Sequence, residues 1–195
     1  MIYVALLRGI NVGGNTMVRM ADLRGCFTQL GFSDVATYIN SGNVIFSSNT
    51  HNARTLEKRI ETALATAFHL PLRVVVRSRN DIASLIDHLP ESWSHAGDKK
   101  CNVIFLHTSI DTSTIVQNFK PKPGIEELYY HPGVLFWSAD TGALTRSAMI
   151  GVSKSNLYKQ DRTQSKHCAQ NIRTYASLGP KRDLPCGASA RCAAL

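Results

Sequence analysis

Residues 9–16, Gly-Ile-Asn-Val-Gly-Gly-Asn-Thr, follow closely on an apolar run from Ile2 to Leu7. The spacing Gly9-x-x-x-x-Gly14-Asn15-Thr16 lies one residue from a phosphate-binding P-loop, with Asn15 where the lysine belongs. In a P-loop, backbone N–H groups of the glycine turn and first helical turn surround the phosphates, the lysine neutralises charge, and the Ser/Thr hydroxyl holds Mg²⁺. Here the lysine is missing, and the next helical pattern starts only near Met20, too late to aim its dipole at the loop. Asp111 also falls well past the strand that would have to present a Mg²⁺-holding carboxylate. These features argue against a nucleoside triphosphatase. What survives is an anion nest. Gly13 and Gly14 can take positive φ and turn successive N–H groups toward one point, beside the guanidinium of Arg8. The competing reading is a demanding turn with Arg8 in a salt bridge and no ligand.

The candidate ligand-binding residues are therefore Arg8, Asn11, Gly13, Gly14 and Asn15, with Ser41 and Asn43 of the neighbouring Ser41-Gly42-Asn43 turn. Farther along, Tyr129, Tyr130, Phe136 and Trp137 form an aromatic cluster. Core packing is the default for such a cluster, and Trp137 is the member expected to face a ligand. Arg146, in Thr145-Arg146-Ser147, is a candidate anion contact by residue type.

No catalytic set is visible: there is no GxSxG, no cysteine with a patterned histidine partner, and no carboxylate pair in a recognisable context. His107 and His131 flank expected strands and read as surface or hydrogen-bonded core histidines. Neither a catalytic residue nor a cofactor is assigned, and whether the chain is an enzyme stays open. The five cysteines (Cys26, Cys101, Cys168, Cys186, Cys192) are scattered without a CxxC, and the seven histidines lack HxxxH or HExxH spacing. That pattern predicts reduced thiols in a cytoplasm and no metal site. No apolar run is long enough to cross a membrane, and no signal peptide is expected at the N-terminus.

A net charge of +8 invites nucleic acid as a partner. The distribution weakens that idea, because Arg162, Lys166, Arg173, Lys181, Arg182 and Arg191 place most of the excess in a polar C-terminal stretch.

The elements that would position the loop follow from periodicity. Residues 2–7 read as a buried strand, and Met20, Leu23, Phe27 and Leu30 recur at helical spacing until Gly31. "VATYI" and "NVIF" form a hairpin about Asn40-Ser41-Gly42. Leu56, Ile60, Leu64 and Phe68 mark a second helix, with Asn52 as N-cap, and "LRVVV" makes a fourth strand. The order βαββαβ predicts an α+β chain whose first subdomain is ferredoxin-like, over residues 1–78. A second, smaller α+β subdomain is expected over 79–178. It opens on a helix near Asn80-Asp81, with a strand "NVIFLH", a helix through Ile115, Val116 and Phe119, and a hairpin turning at His131-Pro132-Gly133. Helices are expected near Thr145–Ile150 and Ala169–Leu178, and residues 179–195 read as a disordered tail.

RNA-recognition domains share the βαββαβ order and stack bases on aromatics of the first and third strands. Tyr3 fits the first position, but Ser41 and Asn43 occupy the places in strand three where aromatics are needed. Tyr3, Ala5, Leu7 and Ile45 are expected on the open sheet face, which is too apolar to stay wet and should be buried by the second half.

Long motifs carry a resemblance. "YVALLRGINVGG", "MADLRGCFTQLGF" and "DVATYINSGNVIFSS", with the later "YYHPGVLFWSAD" and "TRS", resemble a bacterial family known only as domain of unknown function 1697, over roughly residues 1–178. The resemblance implies a two-part α+β fold with a ferredoxin-like first part and a cytoplasmic location, and it brings no activity with it. Asn171, Thr174 and Leu178 keep the family's closing spacing, while Gln170 replaces its arginine. The leading expectation is a binding protein for a small anionic or nucleotide-like ligand at the Arg8–Gly14 loop. The alternatives are a nucleic-acid or protein-interaction module, or an enzyme of unrecognised chemistry.

Overall fold

The computed structural model describes residues 1–7, 10–11, 17–38, 42–69, 72–93, 98–149 and the backbone of 165–168. Uninterrupted apolar sequence makes β1 (Ile2–Leu7) a central strand, buried along nearly its whole length. It is flanked by β3 (Asn43–Ser47) and β4 (Val74–Ser78), with β2 (Ser33–Tyr38) beyond β3. The order β2-β3-β1-β4, antiparallel throughout, is that of the ferredoxin-like βαββαβ unit.

Helices α1 (Met20–Gln29) and α2 (Ala53–Phe68) cover one face of this sheet. The N-cap of α2 is Asn52, whose side chain accepts the Thr55 N–H at 3.1 Å. Leu23 and Phe27 of α1 and Leu56, Ile60 and Leu64 of α2 meet Tyr3, Ala5, Leu7, Val44 and Phe46 in one core.

β1 therefore presents its faces in the opposite phase to the sequence expectation. Tyr3, Ala5 and Leu7 lie under the helices, and only Ile45 of that set faces away, where Val4, Leu6 and Val75 join it. Register decides the matter: Tyr3 sits opposite Phe46 and Val4 opposite Ile45, so Tyr3 and Ile45 cannot share a face. The Tyr3 hydroxyl reaches the Thr50 carbonyl at 2.9 Å.

The second sheet has the order β6-β7-β5-β8, formed by β5 (Lys99–Phe105), β6 (Glu126–His131), β7 (Val134–Asp140) and β8 (Ser165–Cys168). Val103, Phe105, Val134 and Phe136 on one face meet Val4, Leu6, Ile45 and Val75 of the first sheet. Helix α3 (Arg79–Ile86) adds Ile82 and Leu85 to this core. It opens with a reciprocal capping box between Ser78 and Asp81. On the far face of the second sheet, Ile104, Leu106, Leu135 and Trp137 pack with Ile115 and Phe119 of a single-turn helix, α4 (Ile115–Phe119). The layers run helices, sheet, sheet, helix.

β8 was not foreseen, because "SKHC" shows no apolar alternation. In the region expected as a helix near Thr145–Ile150, a 3₁₀ segment spans Thr141–Arg146, residues 148–149 are helical, and Ile150 lies outside the described residues. The expected helix near Ala169–Leu178 and the tail lie outside the described residues.

Candidate anion-binding loop and the polar contacts between the halves

The glycine-rich loop leaves the end of β1, and its anchoring is specific. Ile10 is 1% exposed and joins the helix-side core. Asn11 takes a left-handed backbone conformation, φ 55°, which asparagine tolerates better than most residues. Its side chain then closes the loop. The amide nitrogen donates to the Val18 carbonyl at 3.0 Å, and the amide oxygen accepts the Val18 N–H at 2.8 Å. Asn11 and Val18 are thereby held together through both backbone groups of Val18.

The turn before β3 meets the base of the same loop. The Leu7 N–H donates to the Gly42 carbonyl at 2.9 Å. Gly42 has φ 84°, and a Cβ there would stand 2.6 Å from Cδ1 of Ile10. Only glycine satisfies both the backbone angle and the approach. Asn43 follows, buried at 1% exposure.

Of the sequence candidates, Asn11 lies four residues past the end of β1, and Asn43 opens β3, the strand paired with β1 in the first sheet. Arg8, Gly13, Gly14, Asn15 and Ser41 lie outside the described residues. Trp137 and Arg146 are not brought to the loop. Trp137 is on the face of the second sheet turned away from the first, 3% exposed, and its indole N–H donates to Glu126 at 2.9 Å. The expectation that Trp137 faces a ligand is corrected accordingly: its ring is core and its one polar atom is committed. Arg146 is exposed at the end of the 3₁₀ segment.

Glu126 also accepts from the Ser147 hydroxyl and from the N–H groups of Lys122 and Ala148. Burial alone would raise its pKa, but these hydrogen bonds outweigh it and hold the carboxyl below its ordinary value.

A polar cluster joining the two halves went unread in the sequence. Glu57 and Glu61 of α2 reach over the edge strand β4. Glu57 accepts the Val76 N–H at 3.0 Å, and Glu61 accepts the Val74 N–H at 2.9 Å. Those outward N–H groups would otherwise be open to another strand. Glu57 is 2% exposed and lies 3.6 Å from Arg77 and 3.8 Å from Nε2 of His107. Burial pushes its carboxyl above the ordinary range, opposed by the Val76 N–H, Arg77 and His107. Arg77 crosses to the second half, donating to the Leu106 carbonyl at 2.6 Å and the Gly133 carbonyl at 3.3 Å. Nδ1 of His107 is hydrogen-bonded to Ser109 at 2.8 Å. The available signal was positional: Glu57 sits between Leu56 and Ile60, inside the buried arc of α2. Among the described residues, no cluster of His, Cys, Asp and Glu is arranged to hold a metal. No described helix is long and apolar enough to cross a membrane.

Two antiparallel sheets with helices on their outer faces define a mixed α+β protein whose first half is ferredoxin-like. The chain belongs to the DUF1697 family, proteins of unknown function, whose profile matches residues 1–136. Its structure is similar to that of the conserved bacterial protein SP0830 from Streptococcus pneumoniae, with a TM-score of 0.77 and 27% sequence identity. That similarity covers 90% of this chain and 96% of the other. No curated protein matches the chain.

Proposed function

We propose that this chain binds a small anionic or nucleotide-like ligand, held by the Arg8–Gly14 loop and the adjoining Ser41–Asn43 turn. The observation that carries this reading is the Asn11 clamp. A side chain that grips both backbone groups of Val18 fixes the two ends of a glycine-bearing segment. Fixing the ends in advance lowers the ordering cost that a ligand must otherwise meet. The contact between Ile10 and Gly42 holds the neighbouring turn against the same base. Arg8 supplies the charge, and the glycines allow N–H groups to converge. With no P-loop lysine, binding is modest, falls with added salt, and needs no Mg²⁺.

Base stacking on the first sheet is the less favoured reading. Tyr3 lies beneath the helices, and the face that RNA-recognition domains leave open meets the second sheet.

The test is a titration of inorganic phosphate, nucleotides and short oligonucleotides, followed by amide NMR shifts at residues 8–15. Arg8→Ala weakens binding by roughly 1.5–3 kcal/mol through loss of a charge-assisted hydrogen bond. Absence of any shift with millimolar anion reduces the loop to a structural turn.

A further inference from the structure

The outer surface of the helical layer carries a groove of about 770 Å³ between α1 and α2. Its apolar part is made by Leu30 just after α1 and by Ala63 and Ala67 of α2. Arg54 and Lys58 stand toward the N-terminal end of α2, Arg59 stands beside Leu30, and no carboxylate lines the groove.

This charge separation is a product of the fold. Glu57 and Glu61 stand three residues after Arg54 and Lys58, a spacing at which opposite charges pair along a helix. The fold commits both carboxylates to the N–H groups of β4 instead. Among the described residues, neither Arg54 nor Lys58 enters an ion pair. Arg59 is held in position, donating to the Leu30 carbonyl at 2.9 Å with its guanidinium 5.3 Å from the Phe32 ring centre. Arg54 lies in the first turn of α2, which carries no acid and where the helix dipole disfavours a cation. Helix stability therefore does not account for this cationic face.

We propose that the groove binds a single-chain anionic amphiphile. Its carboxylate or phosphate head lies among Arg54, Lys58 and Arg59, beside Leu30, and its hydrocarbon chain runs on over Ala63 and Ala67. From Lys58 to Ala67 the helix rises roughly 13 Å, about the reach of a ten-carbon chain. The volume lies within the range of small-ligand sites, about 300–1,000 Å³. Cations toward one end, and Ala63 and Ala67 with Thr62 and Thr66 beside them toward the other, match a head and a tail. A docked peptide helix would need apolar anchors repeating at every turn.

The experiment uses the full chain, with decyl phosphate and decanoate kept below micelle formation, and with decanol as the uncharged control. Calorimetry gives affinity and amide NMR gives location. Both anions should shift residues 26–30 and 54–67, and decanol should bind roughly tenfold more weakly or worse. The double variant Arg54→Gln/Lys58→Gln should lose about tenfold in affinity for decyl phosphate, since both side chains are exposed and the fold does not rest on them. Ala67→Leu, which fills the tail end at an exposed position, should weaken decyl phosphate while leaving the melting curve unchanged. Equal binding of decanol overturns the proposal. So does binding only to vesicles of anionic phospholipid, or shifts confined to residues 8–15. Inorganic phosphate acting at residues 8–15 tests the loop separately, so either reading can fail alone.

Discussion

Replacing Glu57 tests whether a carboxylate on α2 acts through its charge or through its hydrogen bond. In Glu57→Ala, the Val76 N–H, on a residue 0% exposed, loses its acceptor. An unsatisfied buried donor costs about 1–3 kcal/mol, and the lost buried methylene adds about 0.8 kcal/mol. The expected destabilisation is therefore about 2–4 kcal/mol. Glu57→Gln keeps an acceptor of the same shape. Because burial raises the Glu57 pKa, the charge itself is not favoured at this position. The Gln variant should stay within about 1 kcal/mol of the parent at pH 7. Arg77 loses its counter-charge in both variants and keeps the carbonyls of Val76, Leu106 and Gly133. The difference between Ala and Gln therefore reports the hydrogen bond together with the one lost methylene, free of the change in charge.

Linkage adds a second reading. A group whose folded pKa lies above its unfolded value contributes stability that is full below the unfolded pKa, near 4.5, and lost as pH rises through the folded pKa. The deficit of Gln relative to Glu should therefore shrink as pH rises from 4 to neutrality. Urea melts across pH measure this, and hydrogen exchange at the Val76 amide should quicken only in the Ala variant. Gln proving as damaging as Ala would refute the reasoning, as would an Ala cost under about 1 kcal/mol.

Gly42→Ala places a Cβ 2.6 Å from Ile10 at φ 84° and should cost about 1–3 kcal/mol in urea melts. Gly31→Ala, at φ 79° with no neighbour within 4 Å, shows the backbone cost alone and should be the milder of the two. Glu126 behaves oppositely to Glu57. With its folded pKa lowered, its contribution is present above pH 4.5 and lost as pH falls through the folded pKa. Glu126→Gln should lower stability at pH 7 and flatten the acid limb, followed by fluorescence of Trp137, whose indole bonds this carboxylate.

The first half of the fold was legible because its signals are local. Leu56, Ile60 and Leu64 repeat at helical spacing, Asn52 caps the helix they mark, and Gly42 turns the hairpin. The loop was legible as a place but not as a mechanism. Its glycines can be read from composition, whereas the Asn11 clamp depends on where the chain brings Val18. β8 had no local signal, since "SKHC" becomes a strand by pairing with β5.

The sequence by itself determined the element order, the amphipathic stripes of α1 and α2, and the position of a glycine-rich loop directly after a buried strand. Each follows from interactions among residues a few positions apart. Tertiary structure alone decided which face of β1 meets the helices, because six consecutive apolar-bodied residues carry no alternation and only pairing with Ile45 and Phe46 sets the phase. It also turned Glu57 and Glu61 inward and left Arg54 and Lys58 outward, because the N–H groups of an edge strand need acceptors that α2 is placed to provide.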